Sequence, residues 1–355
     1  MNLIYPINVN NEFVFNSSAR DFTVEEIPLY PFSGEGEHLV LYVRKKDLTT
    51  WEMLDILSNH VGIRRRDMGY AGLKDKHAMT LQYVSVLALH EEKLKAFTHE
   101  KIKILSMVRH SNKIRVGHLK GNRFNIRLKK VLGVQKDKLD SVLKWIKANG
   151  VPNYFGNQRF GVEGDNWEEG KKLCEGTLKM RDRKTREFLI GSYQSYLFNQ
   201  WLSRRMELNH LLETFTENEA EEVMGLPQGS LKGTKSQPNF FKLVEGDVMM
   251  HYPYGRLFNV ENLEEEAKRF MQKDIMPAGL LPGKKTKHAQ GSAGIIEAPF
   301  IKEIMLNGAR RYAWIEVTEI SKNYVEEKAQ YELSFVLPKG CYATNVLDVL
   351  RGKSL

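Results

Sequence analysis

Residues 69–80 have the sequence Gly-Tyr-Ala-Gly-Leu-Lys-Asp-Lys-His-Ala-Met-Thr. Residues 81–86 are rich in residues that favour β-strands, and residues 68–71 form the segment before the loop. Gly72 indicates a turn between them. The pattern therefore predicts a loop that joins two strands and carries Asp75 between two lysines.

Asp75 has Lys74 and Lys76 as its immediate neighbours. Cations beside a carboxylate favour its charged form, so Asp75 is a candidate nucleophile or general base. The same lysines are candidates for binding phosphate. An ion pair in a surface turn accounts for these residues equally well, so the residues alone leave both interpretations open.

The segment before this loop has the pattern of a strand followed by a helix. Residues 39–43, Leu-Val-Leu-Tyr-Val, are a short apolar run typical of a buried strand. Thr49 stands three positions before Glu52 in a capping-box arrangement. The positions that then repeat at helical spacing and predict one buried face are Leu54, Leu57 and Val61.

Residues 123–128 alternate strictly between polar and apolar side chains. This period of two predicts a half-buried strand with its basic face outward. Its two faces are Phe124, Ile126 and Leu128 on one side, and Arg123, Asn125 and Arg127 on the other.

The later part of the chain divides at residue 149. Apolar residues at helical spacing predict a helix that ends at Asn149 and Gly150, where we place a domain boundary. Further elements are predicted as a helix over 192–206, strands over 314–320 and 331–337, and a short final helix.

The composition favours a folded chain of two domains, since 355 residues exceed the usual length of one domain. Cys174 and Cys341 lie far apart, which argues against a disulfide framework and against structural zinc. The sequence has no signal-peptide pattern and no apolar run of about 18 residues. We therefore expect a cytoplasmic protein without membrane contact.

A formal charge of +9 favours a polyanionic partner. The charge is concentrated in residues 101–130, which contain ten Lys or Arg, two His and no Asp or Glu. Such a segment cannot neutralise itself and is expected to attract phosphates. A solvated basic face is the alternative interpretation.

At residues 72–80 the sequence resembles the active-site stretch of the TruD family of pseudouridine synthases. Five further segments resemble that family in the same order. They are residues 21–26 together with 34–38, Gly121-Asn122-x-Phe124, residues 152–161, residues 195–199, and residues 337–344.

The resemblance implies an α+β fold. It predicts a pseudouridine-synthase catalytic core over 1–149 and 306–355, with a mixed or antiparallel sheet flanked by helices. An inserted α/β TRUD domain is expected over 150–305. It also implies an isomerase that converts uridine 13 of transfer RNA to pseudouridine, without a metal or organic cofactor. No protein partner is implied.

The resemblance also assigns roles to individual residues. Asp75 is expected to attack C1′ of the ribose or to assist proton removal from it. Phe124 is expected to stack on the target base, although its alternation with Ile126 favours core packing when it is judged without the family. Asn122 is expected to hydrogen-bond near Asp75 or the base, unless it is only a turn residue after Gly121. Glu26 is expected to contact the basic residues around Asp75, unless it belongs to an exposed acidic pair with Glu25.

RNA contacts are expected from Lys74, Lys76 and Arg159, and from Lys284 and Lys285 in the lysine-rich loop 283–288. One position departs from the family pattern. Relatives have a lysine shortly before the Asp-Phe motif that positions the catalytic carboxylate, whereas this chain has Asn16 there. Arg20 or Lys76 is the expected substitute.

Other RNA-modifying enzymes fit the sequence poorly. The chain has neither the GxGxxG loop of a methyltransferase nor the GxxxxGK[ST] loop of a helicase or GTPase. It also lacks the His/Cys ligand set of a zinc deaminase. A non-catalytic RNA-binding protein or a chaperone that folds transfer RNA fits the charge but leaves Asp75 without a function.

Overall fold

The structure, a computed structural model, describes residues 3–161, 163–253 and 255–353. Its strands are β1 (Phe22–Pro28), β2 (His38–Lys46), β3 (Gly69–Tyr70), β4 (Met79–Leu87), β5 (Ile102–His110), β6 (Leu119–Lys129), β7 (Val151–Pro152), β8 (Val248–His251), β9 (Leu257–Asn259), β10 (Ile275–Leu281), β11 (Ala309–Tyr312), β12 (Trp314–Ile315), β13 (Thr318–Val325) and β14 (Gln330–Pro338). Its α-helices are α1 (Thr50–Val61), α2 (Glu91–Lys95), α3 (Gly133–Asn149), α4 (Asn166–Cys174), α5 (Arg183–Thr214), α6 (Glu217–Met224), α7 (Leu263–Met271), α8 (Gly291–Glu297) and α9 (Ala343–Arg351).

The chain forms two compact units. We call residues 11–141 and 317–341 the sheet unit, and residues 1–10, 142–316 and 342–355 the helix-rich unit. The predicted insertion over 150–305 falls entirely within the helix-rich unit. That unit also contains residues 3–10 and 342–353 of the described ranges. Tyr154, for example, donates its hydroxyl to the carbonyl oxygen of Ile4 (2.7 Å).

The sheet unit is built on one mixed sheet with the strand order β13-β14-β6-β1-β4-β2-β5, and β3 pairs with β4. Only the β1–β4 pair is parallel among these described strands. Helices flank this sheet, so the predicted α+β class with a mixed sheet is confirmed.

Helix α1 covers part of one face of this sheet. Thr49 and Glu52 form the predicted capping box, and Gly62 ends the helix in the left-handed conformation. The buried residues of α1 pack on β2 and β4 in one apolar cluster that includes Met53, Leu54, Leu57, Leu41, Val43 and Val84. Both the predicted strand and the predicted helix face are confirmed.

Strand β6 confirms the predicted alternation. Phe124, Ile126 and Leu128 are buried, whereas the intervening positions are partly or fully exposed. Gly121 marks a close approach to β14, because a Cβ atom at this position would lie 2.3 Å from the carbonyl oxygen of Leu337. Only glycine fits between the two strands there.

The helix-rich unit contains a smaller sheet, β11-β10-β8-β9, and the pair β12–β7. Helix α5 runs through its core, and its buried residues include Phe198, Leu202 and Met206. The buried Arg205 forms two hydrogen bonds with the carboxylate of Asp247.

Two sequence expectations were too simple. The helix predicted over 192–206 is the longer α5, because polar positions at both ends continue the helix after an Asp182 cap. The strand predicted over 314–320 is broken into β12 and β13. β12 pairs with β7 and β13 pairs with β14, so the alternating pattern does not correspond to one continuous strand.

Within the described ranges, no helix has both the length and the apolar character needed to cross a bilayer.

We predict that Gly121→Ala lowers the free energy of unfolding by about 1–3 kcal/mol, because the added methyl group would collide with the backbone of β14. Urea denaturation measures this effect. Gly133→Ala is the matched control, since a Cβ atom at Gly133 would meet no atom within 4 Å. Equal stabilities of the two variants would contradict the proposed close approach.

Candidate active site

The loop between β3 and β4 is held in place by hydrogen bonds to its backbone. Three side chains bind it: Lys45 Nζ donates to the carbonyl oxygen of Asp75 (3.1 Å), Thr50 Oγ1 accepts from the amide of Lys74 (2.9 Å), and Ser17 Oγ donates to the carbonyl oxygen of His77 (2.9 Å). These contacts fix the path of the chain on both sides of Asp75 and leave its side chain unconstrained.

The side chain of Asp75 lies at the surface of the sheet unit. Within the part of the chain that the structure describes, no hydrogen bond or ion pair involves its carboxylate. A carboxylate on a tethered backbone, with both oxygen atoms uncommitted, is able to contact a ligand directly.

Lys45 is the cation placed beneath this loop. Its side chain is 0% exposed, and Nζ also donates to the carbonyl oxygen of Leu48 (2.6 Å). Burial lowers the pKa of Lys45 to about 8, although the negative charge of Asp75 opposes that shift. The sequence analysis missed Lys45; its signal is the alternation in β2, where Leu41, Val43 and Lys45 occupy the same face.

Glu26 and Lys74 form a buried ion pair beside Lys45. Lys74 Nζ lies 2.6 Å from Glu26 Oε2, and the two side chains are 5% and 1% exposed. The other oxygen of Glu26 accepts from the amide of Tyr83 (3.3 Å), just beyond the point where β1 and β4 stop pairing. Burial raises the pKa of Glu26, and Lys74 opposes the shift. The expected contact between Glu26 and a basic neighbour of Asp75 is present.

Asn122 lies opposite Glu26 in the register of β1 and β6. Thr80 and Gln82 of β4 point to the same face of the sheet, since Thr80 pairs with Val24 and also with Lys45. Among the described residues, no hydrogen-bond partner is found for Asn122 Oδ1, Thr80 Oγ1 or Gln82 Nε2. Buried polar atoms are normally paired, so three such atoms on one face mark a candidate ligand site.

Phe124 lies two positions from Asn122 on the same face. Its ring is 5% exposed and is stacked in parallel on Phe22, with the centroids 6.1 Å apart. Phe335 covers another side at 5.6 Å. This packing is the core arrangement that alternation favoured, so stacking on a base stays a prediction and would have to use the small exposed part of the ring.

The two cations expected to replace the missing lysine make other contacts. Lys76 lies 3.4 Å from Glu52, and both side chains are about half exposed. Arg20 lines a polar pocket on the opposite face of the sheet, together with Asn125. Lys45, which neither alternative included, is the described lysine that contacts Asp75.

The remaining predicted residues belong to the helix-rich unit. Arg159 Nε donates to Ser195 Oγ (3.0 Å), and its guanidinium lies over the ring of Phe188. A Cβ atom at Gly191 would lie 2.6 Å from Arg159 Nη2, so the Arg159 side chain packs directly against α5 at this glycine. Contact of Arg159 with RNA stays a prediction.

Lys284 and Lys285 are exposed, on a loop whose backbone is ordered by hydrogen bonds. The amide of Lys284 donates to the carbonyl oxygen of Leu306 (2.9 Å), and Arg310 Nε donates to that of Lys287 (2.7 Å). The lysine side chains have no ion-pair partner in the described ranges, so their charge is available.

Comparisons with known proteins agree along almost the whole chain. The family described as tRNA pseudouridine synthase D (TruD) matches residues 13–181 and 232–349. The tRNA pseudouridine synthase D of Nitratiruptor sp. is 52% identical over 345 residues, which cover 97% of this chain and 96% of that relative. The protein of the same name from Wolinella succinogenes is 51% identical over 346 residues, with the same coverage.

A solved structure shares the fold. The crystal structure of a Methanosarcina mazei protein described as tRNA pseudouridine synthase D (TruD) matches with a TM-score of 0.68 at 20% identity. The match covers 99% of this chain and 96% of the other.

We predict that the stability contributed by Lys45 depends on pH between about 8 and 10.5. Because its pKa falls from 10.5 to about 8 on folding, the unfolded chain binds more protons in this range, and the free energy of unfolding rises with pH. This contribution is complete above 10.5 and is lost as the pH falls through 8. Lys45→Met removes it, so the stability of the wild type relative to this variant should increase from pH 8 to 10.5.

Urea denaturation at several pH values measures this difference. Lys138→Met, which removes an exposed lysine of α3, provides the baseline. A difference between wild type and Lys45→Met that stays constant over the whole range would show that burial does not disfavour the charged form of Lys45.

Proposed function

The chain belongs to the TruD family of tRNA pseudouridine synthases, and we propose that it isomerises uridine 13 of transfer RNA with Asp75 as the attacking carboxylate. The observation that carries this proposal is the position of Asp75. Its backbone is tied to buried Lys45 while its carboxylate is exposed and uncommitted. An exposed carboxylate with no intramolecular partner among the described residues, on a loop whose backbone is fixed, can contact a ligand directly.

The reaction breaks the N1–C1′ bond of one uridine and forms a C5–C1′ bond. C5 loses a proton and N1 gains one, so no reagent is consumed and the residues need only bind, orient and stabilise charge. Asp75 attacks C1′ or assists removal of a proton from the sugar. In both alternatives the carboxylate must be ionised and must reach the ribose.

Lys45 supports Asp75 by holding the loop that carries it, through the hydrogen bond from Nζ to the carbonyl oxygen of Asp75. Lys74 contributes less net charge, because it is paired with Glu26 at 2.6 Å in the interior. The pair instead keeps the loop on the sheet, since Lys74 reaches from the loop to β1. We therefore regard Lys45, Lys74 and Glu26 as positioning residues for Asp75.

The uracil base offers one N–H donor and two carbonyl acceptors. Asn122 Oδ1 and Gln82 Nε2 supply an acceptor and a donor on the same sheet face, and Thr80 Oγ1 can do either. Asn122 is partly exposed, whereas Thr80 and Gln82 are fully buried. We propose that Asn122 contacts the base directly and that the other two residues form the polar floor beneath it.

Binding of the transfer RNA backbone is assigned to exposed cations. Lys284 and Lys285 suit this role because their ammonium groups are unpaired among the described residues, and Lys76 lies beside the reactive carboxylate. Arg159 is a further proposed contact. We propose a cytoplasmic location, where transfer RNA is modified.

A non-catalytic RNA-binding protein or a chaperone that folds transfer RNA would use the same basic surface. Neither requires an uncommitted carboxylate on a tethered loop. The two functions are separable, and both can reside in one chain.

We predict that Asp75→Asn abolishes pseudouridine formation but leaves affinity for transfer RNA within about twofold, because the amide keeps the shape and loses the nucleophilic charge. Mapping of pseudouridine in RNA from cells that lack this protein, complemented with either form, tests reaction and position together. Asp137→Asn, on the exposed face of α3, is the control and should retain the activity. Full modification by Asp75→Asn would remove Asp75 from the mechanism.

We further predict that replacing Lys284, Lys285 and Lys287 with alanine weakens binding of transfer RNA and lowers the salt slope of log K by up to about three units. Filter binding or fluorescence anisotropy at several salt concentrations measures the slope. Alanine at the exposed Lys138, Lys232 and Lys328 is the charge-matched control. A slope equal to that of the control would exclude the lysine-rich loop from the RNA interface.

A further inference from the structure

A second pocket lies within the sheet unit, between the turn after β1 and the segment that joins β5 to β6. Its volume is about 630 Å³, within the range of roughly 300–1,000 Å³ that small-ligand sites occupy. The side chains around it include Tyr30, His110, Asn112, Lys113, Arg115 and His118.

Hydrogen bonds fix the ring orientation of each of the two histidines in this pocket. The amide of Ser33 donates to Nδ1 of His110 (3.2 Å), and the amide of Arg115 donates to Nδ1 of His118 (3.4 Å). Tyr30 Oη also lies 2.7 Å from Nδ1 of His118. Because Nδ1 accepts in both rings, a neutral imidazole carries its proton on Nε2 and can donate from there.

An aromatic wall accompanies these donors. The rings of Tyr30 and His110 are stacked at 5.4 Å with an interplanar angle of 29°. Gly36 explains how the wall is built, because it has a φ of +122° and a Cβ atom there would lie 2.6 Å from the backbone of His110. Gly36 thus allows segment 34–38 to pack directly on the end of β5.

The charge of the pocket is unbalanced. None of the described residues that line it is Asp or Glu. The guanidinium of the exposed Arg115 has no ion-pair partner within the described ranges, whereas Lys113 Nζ donates to the carbonyl oxygen of Arg66 (2.9 Å). One uncommitted guanidinium and two oriented imidazoles favour an anion such as a phosphodiester.

The pocket adjoins the segment that leads to Asp75. The amide of Gly117 donates to the carbonyl oxygen of Ala71 (2.8 Å), at the start of the reactive loop. A Cβ atom at Gly69 would lie 2.3 Å from the carbonyl oxygen of Ile114, so β3 and the pocket segment are in close contact. The pocket segment is therefore in direct contact with β3 and with the start of the loop that carries Asp75.

We propose that this pocket binds one nucleotide of the substrate RNA other than the target uridine. Its phosphate contacts Arg115 and the histidine Nε2 donors, and its base packs against the Tyr30–His110 wall. Stacking suits any base, so the pocket holds the strand without selecting a sequence. The proposal rests on the proposed function, because it names a second contact of the same RNA.

Binding is best measured in the Asp75→Asn background, so that turnover does not alter the RNA. Arg115→Ala should weaken affinity for transfer RNA by about 10-fold and reduce the salt slope by about one unit. Tyr30→Ala should weaken it by a similar factor, while Tyr30→Phe, which keeps the ring, should lose less than about threefold. Lys138→Ala is the control for removal of one exposed charge, and thermal denaturation verifies that each variant is folded.

A scan of transfer RNA with single methylphosphonate substitutions identifies the bound phosphate. Neutralising that phosphate should weaken binding by protein with Arg115 intact and should have a clearly smaller effect on Arg115→Ala, in which only the histidine contacts remain. Additive losses at every position, or an affinity of Arg115→Ala equal to that of the Lys138→Ala control, would overturn the proposal. Failure of wild-type protein to form pseudouridine would refute the proposed function instead, since the binding measurements do not depend on turnover.

Discussion

The ammonium group of Lys45 lies inside the sheet unit and donates to two backbone carbonyl oxygens, those of Leu48 and Asp75. A buried amine is costly unless it is hydrogen-bonded, so the fold must bring both carbonyls to it. These two contacts connect the end of β2, the approach to α1 and the reactive loop at a single atom. The position of Asp75 follows from this constraint.

Around that atom the charges are arranged in two ways. Lys74 and Glu26 neutralise each other in the interior, whereas Lys45 and Asp75 are coupled without a direct contact between their charged groups among the described residues. The first arrangement stabilises the loop, and the second leaves a carboxylate exposed. Because the backbone is tethered and the carboxylate has no internal partner among the described residues, the side chain can contact a substrate without first breaking an ion pair. Breaking such a pair would cost free energy and weaken binding.

Much of the fold could be predicted from local pattern. The capping box at Thr49 and the alternation through Phe124 depend on neighbours within a few residues, and both are present. The break between β12 and β13 could not be predicted, because the two strands pair with different strands that are distant in sequence, β7 and β14. Helix α5 was underestimated for a similar reason: tertiary packing extends a helix through segments whose own pattern is weak.

The candidate site likewise has some features that could be predicted from local sequence and others that depend on the tertiary structure. Asp75, its flanking lysines and its loop were evident from consecutive residues, and so was the family resemblance. The contact between Lys45 and the loop was not evident from consecutive residues. The position of Asn122, Thr80 and Gln82 on one face was not evident either. These residues come from different strands, and only the strand register makes them neighbours. Residues that are adjacent in sequence are also adjacent in space, because they are covalently linked, so the sequence alone can indicate which functional groups a segment carries. Which distant groups surround that segment depends on hydrogen-bond register and burial, and those exist only once the sheet has formed.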